Sequence, residues 1–75
     1  MSKYNDLIEG MNVTDIANDE GGYNYYGYVR VKGTNEGEWV IIRENTAQTE
    51  YRYAIGGSGY STNWTNRASL TYIPS

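Results

Sequence analysis

The sequence predicts a mainly β protein: a small four-stranded antiparallel meander or partly closed barrel behind a short N-terminal helical arm. Three observations lead there. From Tyr23 onward, aromatic and β-branched residues come in short runs separated by Gly and Asn, the pattern of strands and tight turns. Before Tyr23, the residues Tyr4, Leu7, Ile8 and Met11 stand at i, i+3, i+4 and i+7, the spacing that lines one face of a helix. Charge divides the chain at the same place, with five acids against Lys3 in residues 1–20 and four acids against five bases in residues 21–75. The reading is therefore an arm over 1–22 and a β domain over 23–75.

In the arm, Gly10 and Asn12 limit the first helix to two turns, and a helix that short is marginal in water unless its apolar stripe docks. A second short turn is expected from Thr14, as N-cap, through Ile16 and Ala17 to Gly21-Gly22. The first strand is expected over Tyr23–Lys32, with Tyr25, Gly27, Val29 and Val31 on one side and Tyr26, Tyr28, Arg30 and Lys32 on the other. Gly33–Gly37 is a turn cluster, and Trp39–Glu44 returns with Val40 and Ile42 opposed to Trp39 and Ile41. Asn45–Gln48 turns again, and Glu50–Ile55 forms a third strand with Tyr51, Tyr53 and Ile55 on one face. Gly56-Gly57-Ser58-Gly59 breaks it, since glycine is costly inside a ladder. One helical turn over Ser61–Arg67, capped by Ser61 or Thr62, leads to a last strand at Ala68–Ile73, which Pro74 stops.

Size and composition narrow the function classes. The 75 residues make one small domain, with only four Val, six Ile and two Leu beneath nine Tyr and two Trp. Domains of this size usually need a staple, and with no Cys and no His neither a disulfide framework nor the usual zinc site is available. Association with other chains is the staple that remains. A net charge of −3 argues against nucleic acid as partner. The longest apolar run, Trp39-Val40-Ile41-Ile42, is far below a membrane span or a signal-peptide core, so the expectation is a protein without an export signal or membrane segment.

Catalysis finds little support. A nucleophile would need Lys, Asp or Glu as its base, and neither Lys3 nor Lys32 sits in a motif. The acids Asp19-Glu20 and Glu36/Glu38 lie in polar, turn-like segments, where solvation explains them. Asp15, Asn18, Asp19 and Glu20 crowd oxygen ligands together but lack the alternate spacing and the glycine of a calcium loop. The Gly56–Tyr60 segment lacks the Lys-Ser/Thr ending of a phosphate cradle. No catalytic residue, cofactor or metal ligand is assigned, and the chain is read as not an enzyme.

The tyrosines say more. Tyr23, Tyr25, Tyr26 and Tyr28 place four phenols in six residues, and because neighbours in a strand point to opposite faces, at least one of Tyr25 and Tyr26 faces outward. Outward Tyr suits protein interfaces, and it also suits stacking on sugar rings. Trp64 is expected to fold over the sheet as a lid, and Arg67, about one turn later, to make either an internal salt bridge or an intersubunit contact.

The stretch Gly37-Glu38-Trp39-Val40-Ile41-Ile42-Arg43, then Tyr51-Arg52-Tyr53-Ala54, Gly59-Tyr60 and Asn63-Trp64-Thr65-Asn66-Arg67-Ala68-Ser69-Leu70-Thr71-Tyr72, resembles small β-rich proteins encoded among the virion genes of tailed bacteriophages. The resemblance covers about residues 37–72, and the arm has no part in it. It implies a non-enzymatic structural subunit of a virion, a capsid decoration or a head or tail accessory protein, bound to other copies of itself or to a larger virion protein. The partner-binding residues expected on this reading are Tyr4, Leu7, Ile8 and Met11 of the arm, Tyr25, Tyr26 and Tyr28 of the first strand, and Trp64 and Arg67. Two alternatives stand beside it. One is a carbohydrate-binding module of a tail fibre, with Tyr25 or Tyr26, Trp64, Asn63 and Asn66 on the glycan; the other is an SH3-like adaptor with a Tyr/Trp peptide groove.

Overall fold

The computed structural model describes residues 8–30 and 37–74. They build one antiparallel sheet whose five strands are neighbours in chain order: β1 (Asn12–Glu20), β2 (Tyr23–Val29), β3 (Trp39–Asn45), β4 (Tyr51–Gly56) and β5 (Ile73–Pro74). The first and last strands do not pair, so the sheet is open rather than a barrel. Between β4 and β5 run a short helix, α1 (Tyr60–Thr65), and a 3-10 turn (Arg67–Ser69).

The largest departure from expectation is at the N-terminal end. Residues 12–20, placed in the arm by the sequence reading, form an edge strand of the sheet, and no helix starts at Thr14. The reason is a β-bulge. Val13 faces Tyr28 and Asp15 faces Gly27, so Thr14 is an extra residue, and Val13 and Ile16 reach the same face three positions apart. That spacing imitates a helix stripe. Gly21 and Gly22, expected to end the arm, are instead the two central residues of a tight hairpin between Glu20 and Tyr23, both at positive φ (60° and 91°). Two left-handed residues in succession match the twist of a two-residue hairpin, which Gly-Gly supplies without strain. The helix expected over Tyr4–Met11 lies largely outside the described residues. Of it, residues 8–10 form a turn closed by the Met11 N–H, which donates to the Ile8 carbonyl at 2.9 Å.

The central hairpin forms as expected, and its strands pair from Tyr23 opposite Asn45 to Val29 opposite Trp39. The turn cluster Gly33–Gly37 and the end of the expected first strand fall mostly on residues 31–36, outside the described residues. The third strand runs as Tyr51–Gly56, and the turn before it is tied by Asn45, whose Oδ1 accepts the Thr49 and Glu50 N–H groups at 2.9 Å each. The last strand is shorter than expected. Ala68 and Ser69 belong to the 3-10 turn, and only Ile73 and Pro74 pair with β4. Leu70 and Tyr72 do alternate, but both turn inward onto the core instead of lining an edge. Helix α1 starts at Gly59, at φ 76°, without a side-chain cap, so neither Ser61 nor Thr62 caps it.

Pairing sorts the side chains onto two faces. The inner face carries Ala17, Tyr25, Gly27, Val29, Trp39, Ile41 and Ala54, and the segment 57–72 folds over it, with Tyr60, Trp64, Leu70 and Tyr72 joining the main core. The opposite, open face carries Val13, Ile16, Tyr26, Tyr28, Val40, Ile42, Tyr53 and Ile55. Strand β3 is buried on both sides from Trp39 to Ile42, and Ile41 is fully buried. A four-residue apolar run is what a two-sided central strand requires.

Tyr60 fixes how the cover sits. Its ring passes directly over Gly27, where a Cβ would run into the phenol and meet the Trp64 ring at 3.0 Å, and its hydroxyl donates to Asp15 Oδ2 at 2.8 Å. Gly27→Ala should therefore lower stability by about 1–3 kcal/mol through overpacking, measured by chemical denaturation. An unchanged or higher midpoint would show that the Tyr60 contact is not tight.

Candidate interaction surface

The expected partner-binding residues separate onto the two faces. Tyr25, Trp64 and Arg67 lie on the inner side. Tyr25 is 3% exposed, a core residue, and burial raises its phenol pKa. Trp64 stacks on Tyr60, with ring centroids 6.1 Å apart, and folds over the sheet as the expected lid. Of the two roles open to Arg67, the structure shows the internal one: Nε and Nη2 reach the two carboxylate oxygens of Glu20 at 2.9 and 2.8 Å, while Nη1 donates to the Trp64 carbonyl at 2.9 Å. Its guanidinium lies 4.5 Å from the Trp64 ring centre. This bidentate, stacked geometry ties the end of β1 to the cover and holds the Glu20 carboxyl below its usual range. The Arg43 guanidinium carbon lies 4.3 and 4.7 Å from the ring centres of Tyr23 and Tyr72.

Ile8, Met11, Tyr26 and Tyr28 meet on the open face, where they pack against Val40 and Ile42. Tyr4 and Leu7 lie outside the described residues. Around this centre the sequence reading missed the residues that matter most. Val13, Ile16, Tyr51, Ile55 and Ile73 are 37–58% exposed, and the strand register puts all five on the open face. They form two flanks, Val13 and Ile16 on β1, and Tyr51, Ile55 and Ile73 on β4 and β5. The shared face of Tyr51, Tyr53 and Ile55 was legible as alternation, but the β1 flank was hidden by the bulge.

One charged group stands at the paired positions of this face. Glu44 is 4% exposed and accepts the Tyr26 hydroxyl at 2.7 Å and the Asn24 amide at 3.0 Å, with Tyr51 as a third donor. Burial by itself pushes the carboxyl pKa up, but the three hydrogen bonds outweigh it and hold the group below its ordinary range. The same contact pushes the Tyr26 phenol up to about 12. Glu44 is thus an internally satisfied anion that pins three side chains of neighbouring strands in place.

Comparison with protein-family models, with curated proteins and with solved structures finds no match. The surface must be read from its own chemistry. Among the described residues no cluster of His, Cys, Asp or Glu is arranged to hold a metal, and no helix is long and apolar enough to cross a membrane. The residues expected to hold a glycan do not converge: Tyr25 is buried, Tyr26 is on the opposite face, and the Asn63 and Asn66 amides donate to the carbonyls of Gly59 and Thr62 at 2.8 and 3.1 Å. What the open face offers is shaped apolar area.

Because the folded pKa of Glu44 lies below its unfolded value of about 4.3, its contribution is complete above that pH and is lost as pH falls through the folded value. Glu44→Gln should lower stability at neutral pH by about 1–3 kcal/mol and flatten the acid limb of the stability curve. The slope that remains belongs in part to Glu20. An acid limb unchanged in the variant would remove Glu44 from this role.

Proposed function

We propose that this protein is a non-enzymatic structural subunit that works through contacts with other protein chains, as a head or tail accessory component of a bacteriophage virion. The observation that carries the contact reading is the asymmetry of the sheet. The chain covers one face with its own segment 57–72 and leaves five large apolar side chains exposed on the other. Apolar area gathered on one face of a small protein marks a surface that meets another molecule. The virion placement rests on the resemblance of residues 37–72 to small phage structural proteins.

The polar groups support a structural role. Glu20, Glu38 and Glu50 pair with Arg67, Arg30 and Arg52, Asp15 accepts from Tyr60, and Glu44 is held by three donors. Glu20, Asp15 and Glu44 each tie together elements far apart in sequence, while Glu38 and Glu50 hold exposed ion pairs on the surface.

The partner-binding residues kept in this proposal are Ile8, Met11, Tyr26 and Tyr28, joined by the exposed flanks. Quantitative mass spectrometry of density-purified particles from the phage that encodes the chain should find it at a fixed multiple of the particle's symmetry. Its absence from particles, with the protein free in the lysate, would overturn the virion placement.

A further inference from the structure

We propose that Arg43 is the seat of a carboxylate-binding site on the inner face of the sheet, one that takes an aspartate or glutamate side chain of a partner protein. The proposal rests on the protein-contact reading above and adds a charged contact to it, away from the apolar face.

The pairing of charges singles this residue out. The chain has four arginines, and among the described residues Arg30, Arg52 and Arg67 each pair with a glutamate. Arg43 pairs with none. Its guanidinium carbon lies within 4.7 Å of the ring centres of Tyr23 and Tyr72, and its side chain donates no hydrogen bond to a described residue. Glu44, next in the chain, stands on the opposite face and is already held by three donors. Arg67 shows what a guanidinium on an aromatic ring does when an acid is at hand: 4.5 Å from the Trp64 ring centre, it takes both carboxylate oxygens of Glu20. The rings fix the planar N–H fork in place, so less freedom is lost when it closes on a carboxylate.

The neighbouring cations point the same way. Arg43 stands directly opposite Arg52 on the adjacent strand, and like charges so placed repel. Arg52 spends Nε and Nη2 on a single oxygen of Glu50. Around Tyr25, then, Arg43, Arg52 and Arg67 outnumber Glu20 and Glu50 by one charge, on a protein whose net charge is −3. One carboxylate balances that excess, whereas a phosphate dianion overshoots it.

A buried donor belongs to the same group. Tyr25 is 3% exposed, sits opposite Arg43 on the next strand, and has its ring centre 6.3 Å from that of Tyr23 and 6.2 Å from that of Tyr72. Its hydroxyl makes no hydrogen bond with a described residue, and the charges that act on it are those of Arg43, Glu20 and Arg67. A buried hydroxyl left in that state is costly. Tyr23, half-buried, brings a second phenol without a hydrogen-bond partner among the described residues. Arg43 and Tyr23 both reach the surface, so an arriving carboxylate meets an N–H fork and phenol O–H donors together.

Side-chain proton–nitrogen NMR of the full chain reads the site through the Arg43 Nε–H resonance, with a blocked Gly-Glu-Gly peptide as probe and blocked Gly-Gln-Gly as control at constant ionic strength. The glutamate peptide should shift that resonance, and the ring resonances of Tyr23 and Tyr25, saturably in the millimolar range; the glutamine peptide should not. Arg43→Gln should remove the response of the rings. Arg43→Lys, which keeps the charge and loses the fork, should weaken binding roughly tenfold, and circular dichroism checks that both variants are folded. Should Arg43→Gln fail to fold, the wild-type titration and Arg43→Lys still decide. A response that does not saturate, an equal response to the glutamine peptide, or saturable binding of inorganic phosphate with none of the peptide would each overturn the proposal. Peptide binding by a chain that is absent from particles leaves the site standing and removes the virion placement; a chain found in particles whose Arg43 answers no carboxylate does the reverse.

Discussion

The arrangement depends on one contact, the ring of Tyr60 lying across Gly27 with its hydroxyl on Asp15. It joins the start of α1 to the middle of β2 and to the edge strand β1 across 45 residues of sequence. Once it forms, Trp64 follows one turn later onto the same face, and Arg67 falls within reach of Glu20. The C-terminal segment has then chosen a side, and the other side of the sheet faces outward. Burial of the phenol and its bond to a carboxylate both hold the proton on Tyr60, so the anchor keeps its donor at any physiological pH.

Much of this was legible in the residues, and the failures have physical causes. The hairpin of β2 and β3 was readable because its alternation is unbroken and β3 is apolar on both sides. The helical turn after Gly59 and the lid role of Trp64 were readable from spacing. Strand β1 was not, because a bulge at Thr14 converts a two-residue period into a three-residue one, and because the second bulge before Glu20 interposes Asn18 and Asp19. The Gly21-Gly22 pair was the available signal, since two glycines between β-capable runs are a hairpin in their own right. The end of the chain misled in the opposite sense: Leu70 and Tyr72 alternate like a strand while packing like a cover.

For the candidate surface the same logic applies. Parity alone put Tyr26 and Tyr28 on the side of the strand opposite Tyr25, and that side is the open face. Tyr25 was placed among the contact residues because parity fixes opposition but not which side is inside; that choice belongs to Tyr60 and Gly27. Glu44 carried no signal at all, because its role arises from three donors on two other strands, Asn24, Tyr26 and Tyr51, that only the register brings together.

The bulges of β1 have a consequence beyond folding. An open sheet ends in strands whose outward amides invite another strand to add. At one end here the ladder is broken twice within nine residues and Asp19 is turned to φ 57°; at the other a two-residue strand ends in Pro74, which has no N–H to offer. A strand arriving from solution meets a ladder broken by bulges at one border and a two-residue strand closed by proline at the other. Growth by lateral strand addition is thereby hindered at both borders, and the exposed apolar side chains of the open face, not a strand edge, are what the sheet offers to another molecule.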